Sequence, residues 1–199
     1  MATLGGCYSE PERIMPPDID ASGAAAQAME MFDADGDGYL NSAELPHSPG
    51  LRASMKTLDA NTDSMVTEDE IAARIRAWQA TQAGLTAIRC YVTIDGQPLA
   101  GGTVTFEPEP FLADYLQTAT GKTTPDGVAS PSIPKDKRPS PNMPPGLQLG
   151  FYRVRFSRIV NGRETVPAKF NAETTVGQEI SPDDPAILRQ RVAFDLKSD

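Results

Sequence analysis

Apolar side chains in the first part of the chain recur with the spacing of α-helices. The positions that share a helical face form three groups, namely Ala25, Ala28, Met29 and Phe32, then Leu51, Met55 and Leu58, and finally Ile71, Ile75 and Trp78. Residues three or four positions apart lie on one side of a helix, so each group describes an amphipathic helix. The pattern predicts helices separated by polar loops over residues 22–80, preceded by a polar leader over residues 1–21.

From residue 86 onward the apolar residues alternate with polar ones, which is the pattern of half-buried strands. The alternating apolar positions are Ile88, Cys90, Val92 and Ile94, then Val104 and Phe106, then Tyr152, Val154 and Phe156, and finally Val192, Phe194 and Leu196. The Asp95-Gly96 pair predicts a hairpin turn, and six prolines within residues 131–145 predict a long loop. We therefore predict an α+β multidomain protein, with an all-α N-terminal unit and a C-terminal antiparallel β-sandwich over residues 86–199.

The charge of the chain is concentrated in its helical part. The net charge is −9, and residues 1–84 carry 14 acidic and 5 basic side chains, whereas residues 85–199 carry 13 of each. An acidic unit attracts cations and repels nucleic acid, so we predict no nucleic-acid partner. No apolar stretch approaches the roughly 18 residues that span a bilayer.

The chain contains few residues that could carry out histidine or thiol chemistry. It contains one histidine, His47, in a proline-rich segment that predicts an exposed loop, and two cysteines, Cys7 and Cys90. These numbers exclude a Cys/His zinc cluster. The sequence also contains no recognisable nucleophile–base pair or phosphate-binding loop, so we predict that the protein is not an enzyme.

Residues 33–44 place oxygen-bearing groups at alternate positions. The donors are the side chains of Asp33, Asp35, Asp37, Asn41 and Glu44 and the backbone carbonyl of Tyr39. Calcium takes six to eight oxygen ligands at about 2.3–2.6 Å, and a glutamate at the twelfth position can supply both of its oxygens. Gly38 permits the sharp turn that such a loop requires. The segment therefore predicts a Ca²⁺ site.

Residues 59–70 repeat this arrangement with two departures. The corresponding donors are Asp59, Asn61, Asp63, Thr67 and Glu70, together with the backbone carbonyl of Met65. Asn61 stands where the first loop has a carboxylate, and Ser64 stands where it has Gly38. A left-handed backbone at a residue other than glycine costs about 1–2 kcal/mol. We therefore predict a second Ca²⁺ site that binds more weakly than the first.

With their flanking helices, the two loops resemble the EF-hand family over residues 22–80. The resemblance implies that Leu40 and Val66, at the eighth position of each loop, pair in a short strand. Thr67 and Glu70 have capping-box spacing, as do Asn41 and Glu44, which predicts that the glutamates fold back when calcium is absent. The loops begin 26 positions apart, and the prolines near residue 46 shorten the first exiting helix to about one turn.

Three functions are compatible with this pair of loops. The short spacing favours a calcium-stabilised structural protein. One alternative is a calcium sensor whose apolar groove opens to bind a partner helix. The other is a dockerin-like module that binds a protein partner.

The second half resembles transthyretin-like, carboxypeptidase-regulatory-like β-sandwich modules. The resemblance rests on residues 93–106, on the Thr-Pro-Asp-Gly turn at residues 124–127 and on the Pro-Pro-Gly segment at residues 144–146. It implies an adhesion or spacer unit without catalytic residues, as in bacterial envelope lipoproteins.

Four arginines are expected on an outward sheet face, namely Arg153, Arg155, Arg189 and Arg191. They could form an anion or carbohydrate site, or a solvated face balanced by nearby acids.

The extreme N-terminus suggests where the protein resides. Residues 4–7, Leu-Gly-Gly-Cys, resemble a bacterial lipobox, which implies lipidation of Cys7, with an ordinary polar terminus as the alternative. We therefore predict an extracytoplasmic protein of the cell envelope or periplasm, with contact to a membrane only through a lipid anchor. Its expected partners are calcium and an envelope protein or glycan. Cys90 is expected to be a packed thiol and not to pair with Cys7.

Overall fold

The computed structural model of this protein describes residues 15–138 and 143–198 and has an α+β architecture. The helices, apart from isolated 3₁₀ turns, are α1 (Ala21–Phe32), α2 (Pro49–Ala53), α3 (Met55–Leu58), α4 (Glu68–Ala80) and α5 (Pro185–Leu188). The strands are β1 (Arg89–Ile94), β2 (Gln97–Pro98), β3 (Thr103–Pro108), β4 (Ala119–Lys122), β5 (Val128–Ala129), β6 (Gly150–Ser157), β7 (Ile159–Val160), β8 (Arg163–Glu164), β9 (Gly177–Ile180) and β10 (Arg191–Leu196).

The helices begin where the sequence provides caps. Asp20 accepts a 3.0 Å hydrogen bond from the Gly23 N–H at the start of α1, and Thr67 caps α4. The segment between the two acidic loops is less regular, because α2 and α3 are separated at Ser54, whose hydroxyl donates to the Gly50 carbonyl at 2.7 Å. A 3₁₀ turn over Leu45–His47 replaces a full exiting helix after the first loop, as the prolines predict.

The strands form two four-stranded sheets and a separate two-stranded hairpin, β7–β8. In the first sheet, called the β1 sheet below, β1 pairs with β10, β2 and β5; in the second, the β6 sheet, the order is β4-β3-β6-β9. The β6 sheet is antiparallel throughout. The prediction of a wholly antiparallel structure is wrong for the β1 sheet, because β1 and β10 run parallel. These strands are the first and last of the β segment, so no hairpin constrains their direction.

The two sheets contact each other through aromatic side chains. The ring of Phe194, on β10, lies 5.1 Å from the ring of Phe156 and 6.2 Å from that of Phe106, both on the β6 sheet. Cys90 on β1 is fully buried among these apolar residues, as the alternation predicts. The core of the strand region therefore lies between the β1 and β6 sheets.

The same buried cluster continues into the helices. Phe32, at the end of α1, packs edge-on to Phe111 with ring centroids 6.3 Å apart, and Trp78 on α4 lies 4.6 Å from Phe151 on β6. At Gly177, on β9, a side-chain carbon would lie only 1.8 Å from the Pro49 carbonyl oxygen. The helical and strand regions are therefore in close contact along α1, α2 and α4.

The four arginines expected on one outward face do not share a sheet. Two of them lie on β6, one lies on β10 and one follows α5, namely Arg153, Arg155, Arg191 and Arg189, respectively. Arg153 pairs with the buried Glu109 at 2.8 Å, and Arg155 pairs with Glu107 at 2.6 Å. The prediction of one shared arginine face is wrong, and the two arginines on β6 are balanced by acids.

Glu109 also joins the β6 sheet to the helices. Its carboxylate accepts a 2.6 Å hydrogen bond from the Gly50 N–H on α2, and Arg153 donates to the His47 carbonyl at 2.9 Å. Burial raises the pKa of Glu109, and the nearby guanidinium of Arg153 opposes that shift.

Among the described residues, no helix is both long and apolar enough to cross a bilayer.

Candidate metal centre

Three carboxylates of the first acidic loop converge on one point. Oxygen atoms of Asp33, Asp35 and Asp37 all lie within 4.8 Å of one another. Within residues 15–138 and 143–198, this is the one group of three acidic, histidine or cysteine side chains close enough to hold a metal ion together. The group lies at the surface, where an ion from solvent can reach it.

Backbone N–H groups hold these carboxylates in place. Asp33 accepts hydrogen bonds from the N–H groups of Gly36, at 2.7 Å, and Gly38, at 3.0 Å. Asp35 accepts from the Asp37 N–H at 3.2 Å, and Asp37 accepts from the Tyr39 N–H at 2.9 Å. The chain thus wraps around its own carboxylates, with its amide dipoles directed at them.

Glu44 joins the two ends of the same loop. One carboxylate oxygen accepts from the Ala34 N–H at 2.8 Å, and the other accepts from the Asn41 N–H at 3.0 Å. Glu44 is only 5% exposed. The Asn41 side chain accepts from the Ala43 N–H at 2.8 Å, which begins the short turn after the loop. The loop is therefore closed at its last acidic position.

The second loop repeats most of these hydrogen bonds at the same offsets; the exception is the bond from the Gly36 N–H to Asp33, in whose place Asp59 accepts from the Asp63 N–H at 3.1 Å. Asp59 accepts from the Ser64 N–H at 2.9 Å, as Asp33 does from that of Gly38. Three further bonds match, because Asp63 accepts from the Met65 N–H at 2.9 Å and Glu70 accepts from the N–H groups of Ala60 and Thr67. The repetition shows that the two segments have the same local fold, as their residue spacing predicts.

The second loop differs from the first in having residues other than glycine at its two left-handed positions. Ser64 has a φ of 67°, as predicted from its equivalence to Gly38, which has a φ of 87°. Thr62, at a φ of 63°, occupies the place of Gly36 and is a second departure that was not predicted. A β-branched residue is poorly suited to this conformation, and the signal was its alignment with a glycine.

Asn61 also changes the second site. Its side-chain amide donates a 2.7 Å hydrogen bond to Asp63, so one oxygen of that carboxylate is engaged by a neighbouring donor. The second loop retains the carboxylates of Asp59, Asp63 and Glu70, one fewer than the first loop. Both differences lower the negative charge available to a cation at this loop.

Leu40 and Val66 join the two loops back to back. They form an antiparallel bridge in which the Leu40 N–H donates to the Val66 carbonyl at 2.8 Å and the Val66 N–H donates to the Leu40 carbonyl at 3.0 Å. Both side chains are fully buried. The predicted pairing is confirmed, and it fixes the distance and orientation of one loop relative to the other.

The remaining residues singled out from the sequence lie in several parts of the chain. Thr67 and Glu70 form the capping box expected from their spacing. Tyr39 and Met65 stand at the seventh position of their loops, where the backbone carbonyl is the expected donor. His47 is exposed, as predicted, in a 3₁₀ turn. Cys7 lies outside the described residues.

The chemistry of the first loop fits a hard divalent cation. The group supplies carboxylate, amide and carbonyl oxygens, which are the ligands calcium prefers, and no sulfur or imidazole. Three carboxylates, those of Asp33, Asp35 and Asp37, already lie together, whereas Glu44 lies outside this group and its two oxygens accept from the Ala34 and Asn41 N–H groups. Glu44 would therefore have to exchange these bonds for the ion. The second loop fits the same ion with fewer charges and a less favourable backbone.

Comparison of the chain with protein-family models, curated proteins and solved structures yields no match.

Proposed function

We propose that this protein is a calcium-binding, non-enzymatic structural or interaction protein that holds two Ca²⁺ ions in an EF-hand pair. The observation that carries the proposal is the hydrogen-bond scheme of the Asp33 loop and its repetition at equal offsets in the Asp59 loop. In the first site, the ion would be held by Asp33, Asp35, Asp37 and Glu44, with the Tyr39 carbonyl and Asn41 completing the set. In the second, it would be held by Asp59, Asn61, Asp63, Thr67 and Glu70 with the Met65 carbonyl.

The packing of the helices favours a structural role over that of a sensor. A sensor exposes an apolar groove between its helices when calcium binds. Here the apolar residues that would line such a groove already face the strand region, through the contacts of Phe32 with Phe111 and of Trp78 with Phe151. In our proposal calcium therefore stabilises the contact between the helices and a transthyretin-like β-sandwich.

The proposed location is the bacterial cell envelope or periplasm. Calcium sites in extracellular modules work at dissociation constants of about 10⁻⁴–10⁻³ M, which suits one complete loop and one weakened loop. A lipid anchor on Cys7 would tether the protein to the membrane and leave an envelope protein or glycan as the partner of the strand region. Mass spectrometry of the protein isolated from a bacterial envelope would test the lipid, since an unmodified Cys7 would contradict it.

Calorimetric titration of the calcium-free full chain with CaCl₂ tests the metal sites. We expect two binding events. Asp33→Asn should weaken the tighter one at least about tenfold, and Asp59→Asn should weaken the weaker one to the same extent. Asp69→Asn is the matched control, because it removes one charge from the second loop at a position that is not a ligand. Absence of binding at millimolar calcium, or equal losses in all three variants, would contradict the proposal.

A thermal or urea titration tests the structural role separately. If calcium binds only the folded protein, a concentration 100 times the dissociation constant raises the free energy of unfolding by about 2.7 kcal/mol. We expect this gain in the wild type and a smaller one in Asp33→Asn. Calcium binding without any increase in stability would mean that the unfolded chain binds the ion equally well, which would contradict a structural role.

A further inference from the structure

The outer edge of β10 has the features of a peptide-binding strand. β10 is the last strand of the β1 sheet and pairs on one side with β1. The Arg89 N–H donates to the Gln190 carbonyl and the Asp95 N–H donates to the Leu196 carbonyl, so the even-numbered residues of β10 direct their backbone groups at β1. The backbone groups of the odd-numbered residues, including Ala193 and Asp195, therefore point towards the open edge.

A groove of about 600 Å³ lies beside this edge. It is lined by residues of β10 and of the segment after it, among them Ala193, Asp195 and Lys197, and also by Arg52 on α2 and by the segment around Phe170. The volume lies within the range of about 300–1,000 Å³ that is typical of ligand sites. An extended chain placed there would lie beside the exposed backbone groups of β10.

The charge of the groove is opposite to that of the whole protein. Three basic side chains line it, Arg52, Lys169 and Lys197, against one acid, Asp195, which accepts a 3.2 Å hydrogen bond from Lys197, so the formal charge of the lining is +2. The whole chain carries −9. This contrast favours a ligand of negative charge.

Apolar side chains make the groove suitable for an alternating sequence. Phe170 and Phe194 are 8% and 7% exposed, and both line the groove together with Val176. The Lys169 ammonium lies 5.1 Å from the centre of the Phe170 ring, so cationic and apolar surfaces are adjacent. Successive residues of a strand point to opposite sides, so a peptide with alternating acidic and apolar residues could use both.

We propose that this groove binds an extended, acidic segment of a partner protein, which adds to the β1 sheet as a strand beside β10. The backbone of the segment would pair with Ala193 and Asp195, and its acidic side chains would face Arg52, Lys169 and Lys197. The site shares no residue with the acidic loops, so this proposal can be tested independently of calcium binding.

A synthetic peptide provides the direct test. The probe is a capped, fluorescent hexapeptide of alternating Glu and Val, and binding to the full-length protein is followed by fluorescence anisotropy. We expect saturable binding, together with at least about tenfold slower hydrogen exchange of the Ala193 and Asp195 amides. No binding at about 1 mM, or binding without slower exchange at these two amides, would overturn the proposal.

Matched peptides and variants separate backbone pairing from simple charge attraction. A Glu-Val peptide methylated on alternate backbone nitrogens keeps its charge but loses the pairing donors, so it should not bind, and neither should a Lys-Val peptide. Lys197→Glu should weaken binding of the Glu-Val peptide at least about tenfold. Lys122→Glu, an equal charge change on β4, should leave this binding unchanged. Equal binding of all peptides would overturn the proposal. Hydrogen exchange at Ala193 and Asp195 that slows with protein concentration alone, without peptide, would also overturn it, because the edge would then be covered by a second copy of the protein.

Discussion

The indole N–H of Trp78 donates a 2.9 Å hydrogen bond to the Glu179 carboxylate, which joins α4 to β9. The same carboxylate accepts from Arg74 Nε at 2.5 Å and from the Thr57 hydroxyl at 2.8 Å. Thr57 lies two residues before Asp59, and Arg74 and Trp78 lie on the helix that follows the second loop. One buried glutamate of the strand region thus holds both helices that flank this loop.

Loss of the Glu179 carboxylate should destabilise the whole protein. Glu179 is 6% exposed, so Glu179→Ala would leave the Trp78 indole N–H and the Arg74 guanidinium without their buried acceptor. We expect a loss of about 3–5 kcal/mol in the free energy of unfolding, measured by urea denaturation with Trp78 fluorescence as the probe. Glu179→Gln, which keeps an acceptor oxygen, should cost less. Equal stability of Glu179→Ala and wild type would refute this role.

Much of the fold follows from local patterns, but Glu179 does not. The alternation of Tyr152, Val154 and Phe156 predicts β6, and the spacing of the loop carboxylates predicts where they converge. Glu179, in contrast, is an ordinary polar residue of a short strand in the sequence. Its role depends on which helix packs against β9, and that contact joins residues more than a hundred positions apart. Local periodicity carries no information about such pairs.

The parallel pairing of β1 and β10 was unpredictable for a related reason. Both strands show clear alternation, with Cys90 and Val92 in one and Val192 and Phe194 in the other. Alternation determines which face a residue occupies and not the direction of a distant partner strand. The turn between β1 and β2, at Asp95-Gly96, does fix a strand direction locally, and that antiparallel pair was predicted.

Replacing Thr62 or Ser64 by glycine should stabilise the second loop. Both residues have left-handed backbones, whereas the equivalent positions of the first loop are glycines. We expect each substitution to raise the free energy of unfolding by about 1 kcal/mol and to tighten calcium binding at this loop, as measured by denaturation and calorimetry. Ser42→Gly, in the first loop, is the control and should bring no gain. A lower stability for Ser64→Gly would contradict the strain argument.

The thiol of Cys90 should be unreactive in the folded protein. Burial raises its pKa to about 12, so only about one molecule in ten thousand carries the thiolate at pH 8. In a Cys7→Ser background, we expect iodoacetamide to modify Cys90 only after urea is added, as followed by mass spectrometry. An added exposed thiol, Ser130→Cys, provides the comparison within the same chain. Equal rates at the two cysteines under native conditions would show that β1 opens readily.

The ion pair between Arg74 and Asp183 should make the protein sensitive to acid. Arg74 donates to both oxygens of Asp183, at 2.6 and 2.7 Å, and these hydrogen bonds lower the pKa of Asp183 from 3.8 to about 2. Because the folded pKa lies below the unfolded one, the pair stabilises the protein above about pH 4 and is lost as the pH falls towards 2.

Stability measured by urea denaturation from pH 6 to pH 2 therefore distinguishes the wild type from Asp183→Asn. The wild type should lose more of its unfolding free energy between pH 4 and pH 2, and since the side chain of Asp183 is 55% exposed, the difference should not exceed about 1 kcal/mol. Asp126→Asn, in an exposed turn, controls for the removal of one charge and should follow the wild type. If Asp183→Asn also follows the wild type through this pH range, solvent screens the pair and its contribution to stability is too small to measure.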